Sequence, residues 1–241
     1  MNIYGRDKAF AQLNKTIAPG DGMFREESVY FSVGASAMDC IMLSLTAARK
    51  RPDSVHRILD YACGYGRVLR WLKAEFPSAY LLGVDADPKA ASAAGSVLNV
   101  ETHPLDVSLA NPLGESFDLI WVGSLFTHLP EAESARVLAF LRDHLNPGGV
   151  LVFTTHGALV ESRIRSGERN YGLSIEGVES LLRLYDASGY GFASYPKQSG
   201  YGISIMRTSH IAQMCETAKL TPVCFRSQGW AGHQDMHASQ R

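Results

Sequence analysis

Residues that could bind a nucleoside lie close together between positions 57 and 72 (RILDYACGYGRVLRWL). Asp60 offers a carboxylate at the end of an apolar run, and Gly64 and Gly66 let the backbone approach a ligand closely. The amphipathic helix that follows presents its N-terminus, which stabilises a carboxylate or a phosphate. A dinucleotide fingerprint starting at Gly64 requires a third glycine where Leu69 stands. The stretch therefore predicts a nucleoside ligand and disfavours NAD.

Other polar side chains follow later apolar runs. Asp85 comes about 20 residues after the glycine turn, where a carboxylate can accept hydrogen bonds from ribose hydroxyls. The alternative is that Asp85 or Asp87 only caps the next helix, and capping is the favoured interpretation for Asp87. His128 and His156 follow two further runs, and each could act as a general base near neutral pH. A packed, hydrogen-bonded histidine is the alternative for both.

Alternating strand-like and helical segments must position these residues. Short apolar runs bounded by Gly, Pro or Asp predict strands at Val55–Tyr61, Ala79–Val84, Ser116–Val122 and Gly149–Thr155. Helical spacing of apolar residues predicts helices between them, the last of which carries Leu138, Leu141 and Leu145. This alternation predicts a parallel sheet with helices on both faces, and ligands bind at the carboxyl ends of such strands.

The last third of the chain departs from simple alternation. Strand-like runs at Gly189–Tyr195 and Tyr201–Ile205 are joined by a turn-forming segment, which predicts an insertion. Two later runs, Leu220–Arg226 and His233–Ala238, predict an antiparallel hairpin that closes the sheet.

Composition disfavours several classes of function. The chain has 241 residues, a net charge of -1 and no run of like charges, so it lacks an electrostatic footprint for nucleic acid or an anionic membrane. Its four cysteines lack metal-ligand spacing, which disfavours a bound metal and suits a reducing compartment. No signal peptide or apolar stretch of about 20 residues is apparent. We therefore expect a cytoplasmic monomer or homodimer that acts on a small molecule and binds neither nucleic acid nor membrane.

Five motifs in a fixed order resemble the class I S-adenosylmethionine-dependent methyltransferases, over about Val55 to Ala238. They are LDYACGYG after the first strand, GVDADP after the second, LDV after the third, FDLIWVGSLFTHL at the fourth and LNPGGVLVFTT leading into the fifth. The resemblance implies an α/β fold with a doubly wound, mostly parallel seven-stranded Rossmann-like sheet. It also implies a cap inserted between strand 5 and the following helix.

The same resemblance implies one methyltransferase domain over residues 1–241. Its predicted parts are N-terminal helices and a lid (1–50), a cofactor-binding core (51–156), a substrate-side insertion (157–206) and a C-terminal helix with a hairpin (207–241).

The cofactor implied by the resemblance is S-adenosyl-L-methionine. Asp85 would bind the ribose, Asp106 the adenine amino group, and Asp60 would order the turn or hold the methionine amino group. The complete predicted cofactor set is Tyr30, Asp60, Ala62, Cys63, Gly64, Gly66, Asp85, Ala86, Leu105, Asp106, Val107, Gly123, Ser124 and Leu125. The alternatives are a turn-forming Asp106, a Cys63 that only fills the core, and an ordinary surface loop in place of a lid before Tyr30.

Tyrosines of the insertion are the predicted substrate contacts, namely Tyr171, Tyr190, Tyr195 and Tyr201. Aromatic rings with hydroxyl tips suit a sugar or a phenol, although the same residues could simply pack the insertion onto the sheet. With His128 and His156 as candidate bases, the hypothesis is O-methylation of a small polar acceptor such as a sugar.

Several other functions compete with this hypothesis. An Asp/Asn-Pro-Pro-Tyr signature is absent after the fourth strand, which disfavours methylation of base amino groups in DNA. The remaining alternatives are transfer to a nitrogen, phenolic or protein acceptor, a non-catalytic cofactor-binding regulatory protein, and an NAD(P)-dependent oxidoreductase.

Overall fold

A computed structural model describes residues 3–111 and 113–241. The helices are α1 (Asp7–Gln12), α2 (Glu27–Ala47), α3 (Leu69–Glu75), α4 (Pro88–Leu98), α5 (Glu131–Asp143), α6 (Ala158–Arg165), α7 (Ile175–Ser188) and α8 (Thr208–Thr217), with a short 3₁₀ helix at Pro52–Ser54. The strands are β1 (Arg57–Tyr61), β2 (Tyr80–Asp85), β3 (Glu101–Pro104), β4 (Phe117–Val122), β5 (Leu145–Thr155), β6 (Tyr190–Ser194), β7 (Gly202–Met206), β8 (Thr221–Trp230) and β9 (Gln234–Gln240).

Seven of these strands form one twisted sheet in the order β3-β2-β1-β4-β5-β9-β8. The pairs from β3 to β5 are parallel, and β9 is antiparallel to both β5 and β8. The prediction of a doubly wound, mostly parallel seven-stranded sheet closed by a hairpin is confirmed. Strand order reverses between β1 and β4, so the ligand crevice of such a sheet lies at the carboxyl ends of these two strands.

The start of β5 differs from the sequence prediction. Leu145 has helical spacing from Leu141, but α5 ends at Asp143 and Leu145 pairs with Phe117 of β4. The pairing register then shifts between Phe117 and Leu119, which accommodates the Asn-Pro-Gly-Gly segment inside the strand. Pairing with a neighbouring strand thus overrides the local helical period.

Helix α2 is a core helix. Its buried side chains, including Phe31, Met38 and Leu45, belong to the hydrophobic cluster on one face of the sheet. Its length of 21 residues and its apolar composition also match those of a membrane-spanning helix, which the sequence prediction overlooked, but 61% of its most apolar window is buried inside the protein.

The segment between β5 and α8 carries α6, α7 and the separate β6-β7 ribbon around a small core of its own. Its β7 edge is joined to the loop after β4. The Gly202 amide donates to the His128 carbonyl (3.1 Å), and the Ser204 amide donates to the Thr127 carbonyl (2.9 Å). The insertion is therefore fixed directly beside the crevice.

The segment between α1 and α2 is held by an arginine of α3. Arg70 donates through Nη1 to the carbonyls of Asn14 (2.7 Å) and Thr16 (3.1 Å), and through Nε to the carbonyl of Gly66 (3.2 Å). One guanidinium thus connects the N-terminal segment to the glycine turn.

Buried His237 makes stability sensitive to acid. Its ring lies between Phe153 and Phe225, and burial lowers its pKa from 6.5 to about 3. Because the unfolded chain binds a proton there below about pH 6.5 and the folded chain does not, folding stability falls as pH decreases through this range. His237→Gln should reduce the stability lost between pH 6.5 and 4.5 by about 2 kcal/mol. Urea unfolding of both proteins across this pH range measures the difference, and parallel curves would contradict it.

Candidate functional site

A cleft of about 520 Å³ opens at the carboxyl ends of β1, β2 and β4. Its wall contains ten of the residues that the sequence predicted for the site: Asp60, Ala62, Cys63, Gly64, Asp85, Gly123, Ser124, Leu125, His128 and Tyr201. Ser124 lines the open cleft, which leaves space for an acceptor beside it. The wall also contains residues that the sequence prediction missed: Asp21, Gly22, Met23, Tyr65, Arg67, Val68, Asp87, Ala90, Trp121 and Trp230.

The turn after β1 brings backbone to the cleft. Gly64 has φ +54°, and a Cβ placed on it would meet nothing within 4 Å, so a side chain there would enter the ligand space. Gly66 has a different role, because a Cβ on it would lie 2.6 Å from Cδ1 of Leu98. Ala62 has φ +65°, a left-handed conformation that favours glycine.

Asp85 is held at the end of β2 by two amides. Its Oδ2 accepts from the Gly64 amide (2.7 Å) and its Oδ1 accepts from the Asp87 amide (2.9 Å). Asp87 in turn caps α4 by accepting from the Lys89 amide (2.9 Å), as predicted for it. Each Asp85 oxygen keeps a lone pair for a further donor, such as a ribose hydroxyl.

Asp60 is a buried carboxylate in need of a hydrogen-bond donor. It is 2% exposed, and its Oδ2 has no partner within the described part of the chain. Burial, and next the negative charge of Asp85, raise the pKa of Asp60 to about 8, while Arg67 opposes the shift. A cationic donor entering the cleft would satisfy this oxygen and restore its charged form.

Arg67 offers the complementary group. Its guanidinium lies 5.9 Å from the ring centre of Tyr30 and 5.7 Å from that of Trp230. Among residues 3–111 and 113–241 it has no hydrogen-bond acceptor, and burial lowers its pKa while Tyr30, Asp21 and Asp60 oppose that shift. Together the Asp60 acceptor and the Arg67 donors match the ammonium and carboxylate of a free amino-acid group.

The charge of the wall favours a cationic ligand. Four aspartates line the cleft, Asp21, Asp60, Asp85 and Asp87, and even with Asp60 protonated the other three outnumber the single guanidinium of Arg67. An excess of carboxylates attracts a sulfonium and repels the diphosphate of a dinucleotide.

His128 is held in one neutral form. Its Nδ1 lies 2.7 Å from the Gly202 carbonyl, which can only accept, so Nδ1 carries the hydrogen and Nε2 keeps a lone pair. Burial lowers the pKa of the imidazole. Tyr201 stacks on the ring at 5.0 Å, and the Tyr195 hydroxyl lies 3.3 Å from Nδ1. The arrangement places a neutral imidazole on the cleft wall.

His156, the second predicted base, lies behind this wall. It is 4% exposed, and its Nδ1 donates to the Ser204 carbonyl (3.2 Å). Burial, with the neighbouring His233 and His128, lowers its pKa to about 3. Its ring is 6.4 Å from that of His128, so His156 supports the residue that reaches the cleft. A catalytic role for His156 remains only a prediction.

Several tyrosines predicted for the site are also absent from the cleft wall. Tyr30 is buried and donates to Asp21 (2.7 Å), and thereby fixes the loop that carries wall residues. Tyr190 is buried with its hydroxyl 2.7 Å from that of Ser134. Tyr171 packs on the ring of His156. Their predicted ligand contacts remain predictions.

The segment after β3 is also outside the wall. Asp106 accepts from the amide and hydroxyl of Ser108 and from Nδ2 of Asn111, and these hydrogen bonds lower its pKa. This is the turn-forming role that was the alternative for Asp106. Val107 is 67% exposed. Neither these two residues nor Ala86, Leu105 and Gly66 line the cleft, and their cofactor contacts remain predictions.

Two signals could have found two of the missed residues. Arg67 directly follows the glycine turn, and Trp230 stands in the stretch 229–235 (GWAGHQD), where the β8-β9 hairpin brings this tryptophan to the cleft.

Comparisons with known proteins agree with this geometry. A family model described as a methyltransferase domain matches residues 36–224. The trans-aconitate 2-methyltransferase of Deinococcus radiodurans is 34% identical over 39% of this chain and 36% of its own length. The malonyl-[acyl-carrier protein] O-methyltransferase of Bacillus cereus is 32% identical over 76% of this chain and 66% of its own. The chain thus spans less than two thirds of these curated relatives.

Solved structures share the fold. The sugar N-methyltransferase KedS8 from a Streptoalloteichus species superposes with a TM-score of 0.59 at 18% identity, over 94% of this chain and 96% of that one. The amino pentose methyltransferase CalS10 from Micromonospora echinaspora was solved with S-adenosylmethionine bound. It superposes with a TM-score of 0.58 at 17% identity, over 92% of this chain and 99% of that one.

Replacing Ala62 by glycine should stabilise the protein. Because an alanine at φ +65° is strained, Ala62→Gly is expected to raise the free energy of unfolding by about 1 kcal/mol. The same substitution at Ala93, inside α4, should lower it by about 1 kcal/mol. Urea unfolding of both variants measures the two effects, and destabilisation by both would show that Ala62 is not strained.

Proposed function

This chain belongs to the class I S-adenosylmethionine-dependent methyltransferases, and from that premise we propose that it methylates an oxygen of a small polar acceptor, first of all a sugar or a sugar-containing metabolite. The observation that carries the proposal is the Nε2 lone pair of His128 on the cleft wall, since a hydroxyl must lose its proton on methylation.

S-adenosyl-L-methionine is the cofactor, and it supplies a methyl group activated by a sulfonium. The residues present fit it. In the proposed arrangement Asp85 accepts from the ribose hydroxyls, Oδ2 of Asp60 accepts from the amino group, and Arg67 donates to the carboxylate. Gly64 leaves room for the adenosyl group beside the turn. The unpartnered Asp60 oxygen and the unbonded Arg67 guanidinium support this placement most directly.

His128 acts in this proposal as the general base. The Gly202 carbonyl orients the ring, and Nε2 accepts the proton of the acceptor hydroxyl as methyl transfer proceeds in line. Because burial lowers the pKa of His128 below its ordinary value, the neutral, proton-accepting form of the ring is favoured around neutral pH. Part of the cleft wall is apolar and excludes water from the site of methyl transfer; it is formed by Trp121, Leu125 and Trp230.

The acceptor side favours a neutral polar ring. Tyr201 contributes an aromatic ring to the cleft, and Tyr195 stands beside it with centroids 5.9 Å apart. Aromatic faces with hydroxyl tips suit a sugar or a phenol. The neighbouring aspartates disfavour an anionic acceptor.

Carboxyl methylation is the second candidate. The relatives of Deinococcus radiodurans and Bacillus cereus are named as acting on trans-aconitate and on malonyl-[acyl-carrier protein]. A carboxylate needs no base to accept a methyl group, so His128 would then be dispensable. The carboxylate-rich wall argues for the hydroxyl acceptor.

The net charge and the free cysteines support the remaining parts of the proposal, which concern the class of acceptor and the cellular compartment. A net charge of -1 and the acidic cleft suit a small-molecule acceptor rather than nucleic acid. Cys40, Cys63, Cys215 and Cys224 are free thiols, which suits the cytoplasm. We propose a single methyltransferase domain over residues 1–241 that acts as a monomer or homodimer.

Replacing His128 tests the base. His128→Gln should lower kcat by about 100-fold or more, because the proton acceptor is lost, and should leave affinity for S-adenosylhomocysteine within about threefold. Transfer of labelled methyl to panels of neutral sugars, phenols and carboxylic acids measures the rate, and calorimetry measures the affinity. Exposed His103 on β3 provides the matched control, His103→Gln, which should not change either quantity. Transfer only to carboxylic acids, with full activity in the His128 variant, would establish the second candidate instead.

Asp60 couples stability to cofactor binding. Its folded pKa of about 8 exceeds the ordinary 3.8, so it destabilises the cofactor-free protein increasingly as pH rises between these values. Asp60→Asn should therefore stabilise the cofactor-free protein by roughly 2 kcal/mol at pH 8 and by less at pH 5. It should also weaken S-adenosylhomocysteine binding at least about tenfold, because a charge-assisted hydrogen bond is lost. Unchanged stability with unchanged affinity would disprove the placement of the amino group.

A further inference from the structure

Two side chains from separate strands and one from the loop after β4 close a ring of hydrogen bonds beside the cleft. The Ser124 amide donates to Thr154 Oγ1 (2.8 Å), Thr154 Oγ1 donates to Gln234 Oε1 (2.6 Å), and Gln234 Nε2 donates to Ser124 Oγ (2.5 Å). Thr154 is in β5, Gln234 begins β9, and Ser124 follows β4.

Burial of Thr154 sets the directions of these bonds. The Ser124 N–H can only donate, so Thr154 Oγ1 accepts there. Thr154 is fully buried, so its own hydrogen needs an acceptor, and among the described residues Gln234 Oε1 provides it. With Oε1 used in this way, the amide nitrogen of Gln234 faces Ser124 and donates to it. The Ser124 hydroxyl consequently accepts in the ring, and its hydrogen is left over. No group in the described parts of the chain accepts that hydrogen, and Ser124 lines the cleft.

Ser124 is also fixed through its backbone. It has φ +65°, and its carbonyl accepts from the hydroxyl of Thr127. A residue in this uncommon conformation, bonded at its amide, its carbonyl and its hydroxyl, has a defined orientation in the cleft wall.

The surroundings of Ser124 point to what its hydrogen would bind. A Cβ placed on the preceding Gly123 would lie 3.0 Å from the Trp230 ring, and the Arg67 guanidinium lies 5.7 Å from the centre of a ring of the same residue. The segment of Gly123 and Ser124 and the side chain of Arg67 thus both lie beside the indole of Trp230, and both carry hydrogen-bond donors. Asp60, the hydrogen-bond acceptor of this region, suits the ammonium of the cofactor's methionine portion. The donors of Ser124 and Arg67 are then left for its carboxylate.

We propose that the Ser124 hydroxyl donates a hydrogen bond to the carboxylate of the cofactor's methionine portion, and that Gln234 is the positioning residue that turns this hydroxyl toward the cleft. The inference rests on the proposed placement of the cofactor. It gives the C-terminal hairpin a part in cofactor affinity although Gln234 does not line the cleft.

Calorimetry at pH 8 with two ligands tests the serine. Ser124→Ala should bind S-adenosylhomocysteine about tenfold more weakly than the wild type, since a hydrogen bond to a charged group is lost. The same variant should bind 5′-methylthioadenosine, which lacks the amino-acid portion, within about twofold of the wild type. Equal loss for both ligands would indicate a general disturbance of the cleft and overturn the proposal.

Reversing the hydrogen bond between Ser124 and residue 234 tests the role of Gln234 as the positioning residue. In Gln234→Glu the carboxylate accepts from Thr154 and also from the Ser124 hydroxyl, which withdraws the hydrogen from the cleft. This variant should lose about tenfold in affinity for S-adenosylhomocysteine and none for 5′-methylthioadenosine. Gln213→Glu, on the exposed face of α8, adds the same charge elsewhere and should have no effect.

A double variant separates the hydroxyl from simple charge repulsion. Ser124→Ala combined with Gln234→Glu should bind S-adenosylhomocysteine no more weakly than Ser124→Ala alone, because both changes act through one hydrogen. A further tenfold loss would assign the effect of the glutamate to repulsion and overturn the role of Gln234. Full affinity in Ser124→Ala would overturn the role of the serine. Absence of binding by the wild type would instead contradict the cofactor site itself.

Discussion

The hydrogen bond from the Gly64 amide to the Asp85 carboxylate, 2.7 Å long, sets the geometry on which the cleft depends. It joins the turn after β1 to the end of β2, and the second Asp85 oxygen binds the amide of Asp87 at the start of α4. One carboxylate therefore orders the glycine turn, the strand end and the following helix. Because a Cβ placed on Gly64 would point into open space, the same turn also leaves room for a ligand.

Several locally unfavourable features line the cleft. Asp60 is buried with one unpartnered oxygen, Arg67 lacks a hydrogen-bond acceptor in the described part of the chain, and Ala62 and Ser124 have left-handed backbone. The Asp60 oxygen and the Arg67 guanidinium can both be paired when a ligand that carries an ammonium and a carboxylate enters. The apolar clusters on both faces of the sheet hold these groups in place.

The loop after β4 is shaped by parts of the chain far from it in sequence. The Gly202 carbonyl, 74 residues away, selects the tautomer of His128, and Gln234, 110 residues away, bonds to Ser124. In the proposed function, acceptor chemistry and cofactor binding therefore meet in one loop that the insertion and the C-terminal hairpin both brace.

Local sequence determined the glycine turn, the carboxylate at Asp85 and the order of strands and helices, because apolar periodicity and turn residues act within a few positions. Those patterns predicted a parallel sheet and selected Gly64, and the resemblance to the methyltransferase family added Ser124; the structure places both residues on one cleft wall. Tertiary structure alone decided that His128 reaches the cleft while His156 lies behind it, that Arg67 faces the ligand space, and that Leu145 begins a strand. These outcomes depend on partners from elements distant in sequence, and no local pattern specifies which side chain such a partner will meet.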